Sequence, residues 1–152
     1  MSAPGAGGTS GPSGLGDAAL RGVFERVRAI AVVGASPNPA RPSHGVMGFL
    51  IARGYDCVAV NPGHAGGAIL GRPCYGALAD VPHAFDMVDV FRRPEAVPGV
   101  VEEVLALAPR PGVLWLQLGV THPAAEARAR KAGLLVVADR CPRIEHPRVT
   151  AA

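Results

Sequence analysis

The chain has 152 residues, 49% of them hydrophobic, and a formal net charge of +3 at pH 7. This length and apolar content are enough for one domain with its own core. No apolar run approaches the roughly 18 residues that span a bilayer, and no signal peptide is apparent. The three cysteines have no CxxC spacing, which argues against a secreted disulfide framework and against structural zinc. We therefore expect a cytoplasmic protein that does not enter a membrane.

The N-terminal segment differs in composition from the rest of the chain. Residues 1–16 are rich in glycine, alanine, serine and proline and carry no charged side chain. Such a segment cannot bury enough apolar surface to offset its ordering entropy, so we predict a disordered tail over 1–16 and a folded domain over 17–152. The domain should begin with a helix that is capped by Asp17 and packs on the sheet edge, because apolar residues then recur at helical spacing.

The first predicted strand covers residues 30–33, which are apolar without alternation. This pattern is typical of a parallel strand buried on both faces. Gly34 follows, where it allows a sharp turn and a close approach of the backbone to a ligand. Ser43 is a plausible cap for a helix that begins near His44 and ends at Gly54. The free amides at the start of that helix suit an anion.

Strands and helices then alternate along the chain. Further strands are predicted over 57–60, 87–91, 113–118 and 134–138, with helices over 95–108 and 124–132. Between the strands over 57–60 and 87–91, one short strand over 69–75 and a helical turn over 76–80 are also possible. Repeated strand–helix–strand units form parallel sheets with right-handed crossovers. The predicted fold is therefore α/β, a doubly wound, mainly parallel five-stranded sheet in a single Rossmann-like domain.

Ligands of such sheets bind outside the carboxyl ends of the strands. The residues that follow the five predicted strands are Gly34, Ala35 and Ser36, then Asn61 and Pro62, then Phe91, Arg92 and Arg93, then Gln117 and Gly119, and finally Asp139, Arg140 and Cys141. Four of these five strand ends offer a group suited to ligand contact. Their convergence predicts a binding site at this edge of the sheet.

A nicotinamide or flavin dinucleotide fits these residues poorly. The first turn reads GASPNPARPS and lacks the GxGxxG pattern, and its prolines remove amides that would cradle a pyrophosphate. Asn61 occupies the position where NAD-binding proteins place a carboxylate for the ribose. An NADP-linked oxidoreductase stays open, because an arginine can meet the additional ribose phosphate.

Five segments resemble, in this order, the stand-alone coenzyme A-binding domain proteins: VVGASPNPARPSHGV, VAVNP, DMVDVFRRPEAVP, LWLQLGV and VVADRCPRIEHP. These proteins are small Rossmann-like relatives of the CoA-binding domain of the succinyl-CoA synthetase alpha chain. The resemblance covers about residues 29–148. It implies that the small-molecule ligand is coenzyme A or an acyl-CoA, with the 3′-phospho-ADP part laid across the carboxyl edge of the sheet.

The loops after the first two strands have groups that suit this ligand. Backbone amides, hydroxyls and one guanidinium in the first loop can meet phosphate oxygens. These groups belong to Gly34, Ala35, Ser36, Arg41 and Ser43. Asn61 and Pro62 form a turn whose side-chain amide can bond ribose or adenine. The alternatives are a solvated loop arginine at position 41 and a simple turn at Asn61.

The loops after the third and fourth strands complete the predicted site. The Phe91 ring can lie against adenine while Arg92 or Arg93 reaches a phosphate, although two arginines before a proline can also be a solvated rim. Gln117 is placed inside an apolar strand, where its buried amide needs a partner. Gly119 permits close approach to the ligand.

Catalytic residues are not apparent. Ligation of the synthetase type needs a phosphorylatable histidine from an additional domain, so the resemblance implies binding without ligation. The five histidines have no HExxH spacing, which leaves no predicted metal site and makes residues such as His122 surface or capping groups. Cys141 is the best candidate for a reactive thiol, against the alternative of a buried packing cysteine.

Two other classes of function stay open beside CoA binding. One is the NADP-linked oxidoreductase. The other is a regulatory or interaction module that senses acyl-CoA, forms a homo-oligomer or docks onto a larger synthetase. Nucleic acid is not an expected partner, because the basic residues are dispersed and only 5% of the chain is aromatic.

Overall fold

The computed structural model describes residues 15–150. Residues 1–14 of the predicted disordered tail therefore lie outside the described residues. The elements in chain order are α1 (Asp17–Arg26), β1 (Ala29–Val33), α2 (Pro42–Ala52), β2 (Asp56–Val60), β3 (Ala68–Ile69), β4 (Arg72–Tyr75), β5 (Met87–Val90), α3 (Val97–Leu105), β6 (Val113–Leu116), α4 (Pro123–Lys131), β7 (Leu135–Val137) and α5 (Pro142–Thr150). They confirm the predicted α/β class.

The strands form one sheet in the order β3-β4-β2-β1-β5-β6-β7. Six of them are parallel, and only β3 pairs antiparallel, with β4. From β4 to β7 this is the Rossmann order, in which the chain direction along the sheet reverses between β1 and β5. The sheet edge beyond β1 and β5 is therefore the topological switch point.

The prediction of five strands is wrong, because the sheet has seven. The two additional strands, β3 and β4, form a hairpin at one edge, and β4 pairs with β2 over only two residues of each strand. Strands this short are too brief to show a clear hydrophobic pattern. Pro73 within β4 also weakens the strand signal, although an edge strand tolerates it.

Helices cover both faces of the sheet. Side chains of α1, α2 and α5 pack on one face with Ile30 and Val32, while α3 and α4 pack on the other with Ala31 and Val33. The strand β1 is thus buried on both sides, as its uninterrupted apolar sequence predicts.

The first and last helices pack together over the same face. Helix α1 begins after Gly16, so Asp17 is its first residue and not its cap. It lies on the face and not on the sheet edge, since the Phe24 ring centroid is 5.5 Å from that of Trp115 in β6. The sequence around Pro147 gives no helical pattern, yet α5 forms there. It is held by α1, because Arg21 Nε donates a hydrogen bond to the Val149 carbonyl at 2.7 Å.

Candidate functional site

A cavity of about 720 Å³ opens beyond the carboxyl ends of β1, β5 and β6. This volume falls in the range of small-molecule and cofactor sites. Predicted site residues that line it are Gly34, Ser36, Arg41, Ser43, Asn61, Phe91, Arg92, Arg93 and Gln117. The structure therefore brings together, in one cavity at the switch point, most of the residues singled out from the sequence.

Gly34 is required by its neighbours in the fold. Its φ is +83°, and a Cβ at this position would lie 2.4 Å from the Phe91 carbonyl oxygen. Its N–H donates to the Val60 carbonyl at 2.9 Å. The predicted close approach is thus to the backbone after β5, and the Gly34 amide is already used within the protein. Neighbouring Ala35 is fully buried and does not line the cavity.

Ser43 does not cap a helix, contrary to the prediction. Helix α2 begins at Pro42, with Arg41 preceding it, so Ser43 lies inside the first turn. Its side chain is 3% exposed, and its Oγ accepts the Ser36 N–H at 3.1 Å. The spacing of residues in the sequence could not predict this hydrogen bond, because it forms only when the loop folds back onto the helix. Ser43 therefore fixes the shape of the loop, and the Ser36 hydroxyl still has a proton to donate.

Asn61 joins the loops that follow β1 and β2. Its Nδ2 donates to the Ala35 carbonyl at 2.8 Å, and its Oδ1 accepts the Gly63 N–H at 2.9 Å. One Nδ2 proton is left over for a ligand. Pro62 does not line the main cavity; it begins a short 3₁₀ helix and lines a smaller adjoining cavity of about 470 Å³.

Positive charge dominates the cavity. Arg41, Arg92 and Arg93 line it, and none of them forms an ion pair within the described part of the chain. No aspartate or glutamate among residues 15–150 lines this cavity. Guanidinium groups prefer phosphate and carboxylate oxygens as partners. The arrangement is suited to a ligand that carries several negative charges.

Gln117 contributes an unpartnered polar atom. Strand β6 ends at Leu116, so Gln117 follows the strand instead of lying inside it, yet its side chain is only 6% exposed. Its Oε1 is buried and has no hydrogen-bond partner in the described residues. A buried acceptor without a partner costs about 1–3 kcal/mol. A hydrogen-bond donor on a ligand in the cavity would remove that cost.

Gly119 does not line the cavity, so its predicted approach to a ligand is not seen. Its φ is +77°, and its N–H donates to Asp139 Oδ1 at 2.7 Å. This bond links the loops after β6 and β7. His122, predicted only as a surface or capping residue, is the N-cap of α4, because its Nδ1 accepts the Ala125 N–H at 3.1 Å.

Some lining residues were not identified from the sequence. They are Pro42, Val46, His64, Pro94, Leu118 and Val120. The side chains of Leu118 and Val120 make the β6 end of the cavity more apolar than the arginine end. Their position just beyond a predicted strand end could have marked them as lining residues. However, apolar residues at such a position are also typical of the hydrophobic core. Cys141 also lines the cavity.

Among residues 15–150, no helix is long and apolar enough to cross a membrane. No group of three or more histidine, cysteine, aspartate or glutamate side chains there could hold a metal ion. The predicted absence of a metal site stays a prediction.

A Rossmann-ordered sheet with a basic cavity at its switch point defines a class of nucleotide-binding domains. Within this class, residues 28–147 match the model of the CoA binding domain family, and the chain belongs to that family. Helix α1 lies before the matched segment.

Relatives of similar length share most of the chain. The uncharacterized protein YneT of Bacillus subtilis (strain 168) is 35% identical over 130 residues, which cover 85% of this chain and 93% of YneT. A hypothetical protein from Pyrococcus horikoshii OT3 is 36% identical with a TM-score of 0.86, covering 95% of this chain and 99% of that one. The cell-free ID.343 structure from Thermus thermophilus is 41% identical with a TM-score of 0.84, over 89% and 99% of the two chains.

Proposed function

We propose that this protein binds coenzyme A, or a thioester of it, in the cavity at the carboxyl edge of the sheet. The observation that carries the proposal is the set of three arginines, Arg41, Arg92 and Arg93, around a cavity that no described carboxylate lines. Coenzyme A has a 3′-phosphate and a pyrophosphate, which together present three phosphate groups. Membership of the CoA binding domain family supports this ligand over other polyanions.

The two ends of the cavity suit the two ends of coenzyme A. The arginines and the Ser36 hydroxyl would meet the phosphates, and the half-buried Phe91 ring would lie against adenine. The pantetheine arm is mostly apolar and has two amides. Gln117 Oε1 would accept an N–H from one of these amides, between Leu118 and Val120.

NADP is the competing ligand, since it also has three phosphate groups. The N–H groups of Gly34 and Ser36 donate to Val60 and Ser43 and are not free to cradle a pyrophosphate. Because both ligands contain a pyrophosphate, this does not separate them, and the family match is what favours coenzyme A. The proposal is for binding, without a catalytic constellation for ligation, in a cytoplasmic protein. A module that senses acyl-CoA stays an alternative. Assembly with a second copy or with a larger synthetase stays a prediction.

Calorimetry with CoA, acetyl-CoA, 3′-dephospho-CoA and NADP⁺ tests the proposal. We expect CoA to bind most tightly and Arg92→Gln to weaken it about tenfold to a hundredfold, because charge-assisted hydrogen bonds contribute about 1.5–3 kcal/mol. The matched control is Arg26→Gln, which removes the same charge at an exposed position in the last turn of α1. Its affinity should stay within twofold of the wild type.

Two results would overturn the proposal. The first is binding of NADP⁺ without binding of CoA. The second is CoA affinity that falls equally in Arg92→Gln and Arg26→Gln, since this would reflect overall charge and not the cavity. A lower salt dependence of CoA binding in Arg92→Gln than in wild type would support a direct phosphate contact.

A further inference from the structure

We propose that Cys141 is a thiol–disulfide exchange site that captures coenzyme A from its disulfide as a mixed disulfide. The inference rests on the proposed binding of CoA and adds a covalent step at the far end of the same cavity. It follows from where the three cysteines lie, from an unpartnered amide oxygen in the same cavity, and from the length of the ligand.

The three cysteines of the chain are all free, but only one lines the cavity. All three are buried and belong to the same core cluster, but Cys57 and Cys74 lie in the sheet, in β2 and β4, whereas Cys141 also borders the cavity. Burial raises the pKa of the Cys57 thiol to about 12, with a further increase from the nearby Asp89, and burial also raises the pKa of Cys74. These two residues will stay as unreactive thiols, because the thiolate is the nucleophile.

The position of Cys141 is fixed by the backbone. Its carbonyl accepts the N–H groups of Ile144 and Glu145 at 3.0 and 2.9 Å, so α5 starts from this residue. The preceding residue, Arg140, donates its N–H to the Leu116 carbonyl at 3.3 Å. Cys141 and Gln117 thus follow the neighbouring strands β7 and β6, and both line the cavity.

Gln117 is the independent sign that a ligand reaches this end of the cavity. The residue is more than nine-tenths buried, at 6% exposure, and its Oε1 has no partner in the part of the chain that the structure describes. The pantetheine arm has two amide N–H groups before its terminal thiol. A ligand amide held by Gln117 would place the thiol beside the neighbouring strand end, where Cys141 lies.

The ligand is long enough to join the two ends. Arg92 follows β5, and Cys141 follows β7 two strands away, or about 10 Å at the usual spacing. The pantetheine arm has the same number of backbone bonds as about four residues, which span about 14 Å when extended. Phosphates at the arginines and sulfur at Cys141 are thus compatible in one bound molecule.

The proposed reaction is balanced without a separate oxidant. The Cys141 thiolate attacks one sulfur of CoA disulfide, a new S–S bond joins Cys141 to that CoA, and the original S–S bond breaks. The second CoA leaves as a thiolate and takes up the proton that Cys141 lost. A free thiol can later attack the mixed disulfide and release CoA, with its own sulfur oxidised in turn.

Intact-mass spectrometry after incubation with CoA disulfide tests the inference, and peptide mapping of the wild-type protein locates the adduct. We expect one CoA adduct, on the peptide that contains Cys141, removed by a thiol reductant. Cys141→Ser should bind CoA by calorimetry and form no adduct, whereas Cys57→Ala and Cys74→Ala should form it. Wild type should react at least about tenfold faster with CoA disulfide than with a small uncharged disulfide, and Arg92→Gln should reduce this preference.

The outcomes separate the two proposals. If wild type does not bind CoA in calorimetry, the proposed function fails. If CoA binds but no adduct forms, or if the adduct maps to Cys57 or Cys74, the exchange site is refuted while the binding site stands. Equal rates with both disulfides would also refute it, because they would show that the cavity does not guide the reaction.

Discussion

A buried carboxyl group in the centre of the sheet offers a sharp test of the fold. Asp89 lies in β5 between Val32 of β1 and Trp115 of β6 and is fully buried. Neither of its carboxyl oxygens has a hydrogen-bond partner in the described chain. Burial without a partner raises the pKa of Asp89 well above its usual range.

The replacement Asp89→Asn removes this titration with almost no change in shape. Because the pKa of Asp89 is higher in the folded than in the unfolded chain, its stabilising contribution is complete below about pH 4 and is lost as pH rises towards the folded pKa. The loss is about 1.4 kcal/mol per pH unit, or about 2.7 kcal/mol over two units. As pH rises, the free energy of unfolding of Asp89→Asn should therefore increase relative to that of wild type by this amount per pH unit.

Urea unfolding at half-unit steps from pH 4 to pH 8 measures the difference. The slope with pH decides the test, since the amide introduced by Asp89→Asn adds an offset that does not depend on pH. Asp80→Asn, at an exposed residue of a short 3₁₀ helix, is the matched control and should follow wild type. Parallel stability curves for wild type and Asp89→Asn would refute the reasoning.

Three other substitutions test particular contacts. Gly34→Ala should lower the free energy of unfolding by more than about 1 kcal/mol, because of its φ of +83° and the Phe91 oxygen 2.4 Å from a Cβ; wild-type stability in urea would contradict this. His122→Ala should cost about 1 kcal/mol as α4 loses its cap, and an unchanged Tm would argue against the cap. Ser43→Ala should weaken CoA binding about tenfold in calorimetry, because the Ser36 N–H loses its acceptor; equal affinity would show that this bond does not shape the site.

Sequence patterns were most informative about the buried strands. The apolar residues of β1 pack on both faces, as a run without polar alternation predicts. Elements stabilised mainly by distant contacts were missed or only partly predicted: α5 was missed, and one possible strand over 69–75 stood where the structure has the two strands β3 and β4. Helix α5 contains Pro147 and depends on packing against α1, and the β3–β4 hairpin is too short to show a period. Their formation depends on residues far away in the chain, which a local pattern does not contain.

The candidate site shows the same division. Position at a strand end was enough to select Arg92, Arg93 and Gln117, because all parallel strands end at one edge of the sheet. It could not show that the amides of Gly34 and Ser36 are already donated within the protein. Those bonds form between segments that only the folded chain brings together.

The sequence alone determined the alternation of strands and helices, the family resemblance and the edge at which polar and basic residues gather. These properties follow from the order and spacing of neighbouring residues. Only the tertiary structure decided that Ser43 holds a loop, that Gln117 keeps an unpaired oxygen and that Cys141 lines the same cavity. The physical reason is that hydrogen-bond pairing and burial depend on the packing of distant segments, which the sequence specifies only through the complete fold.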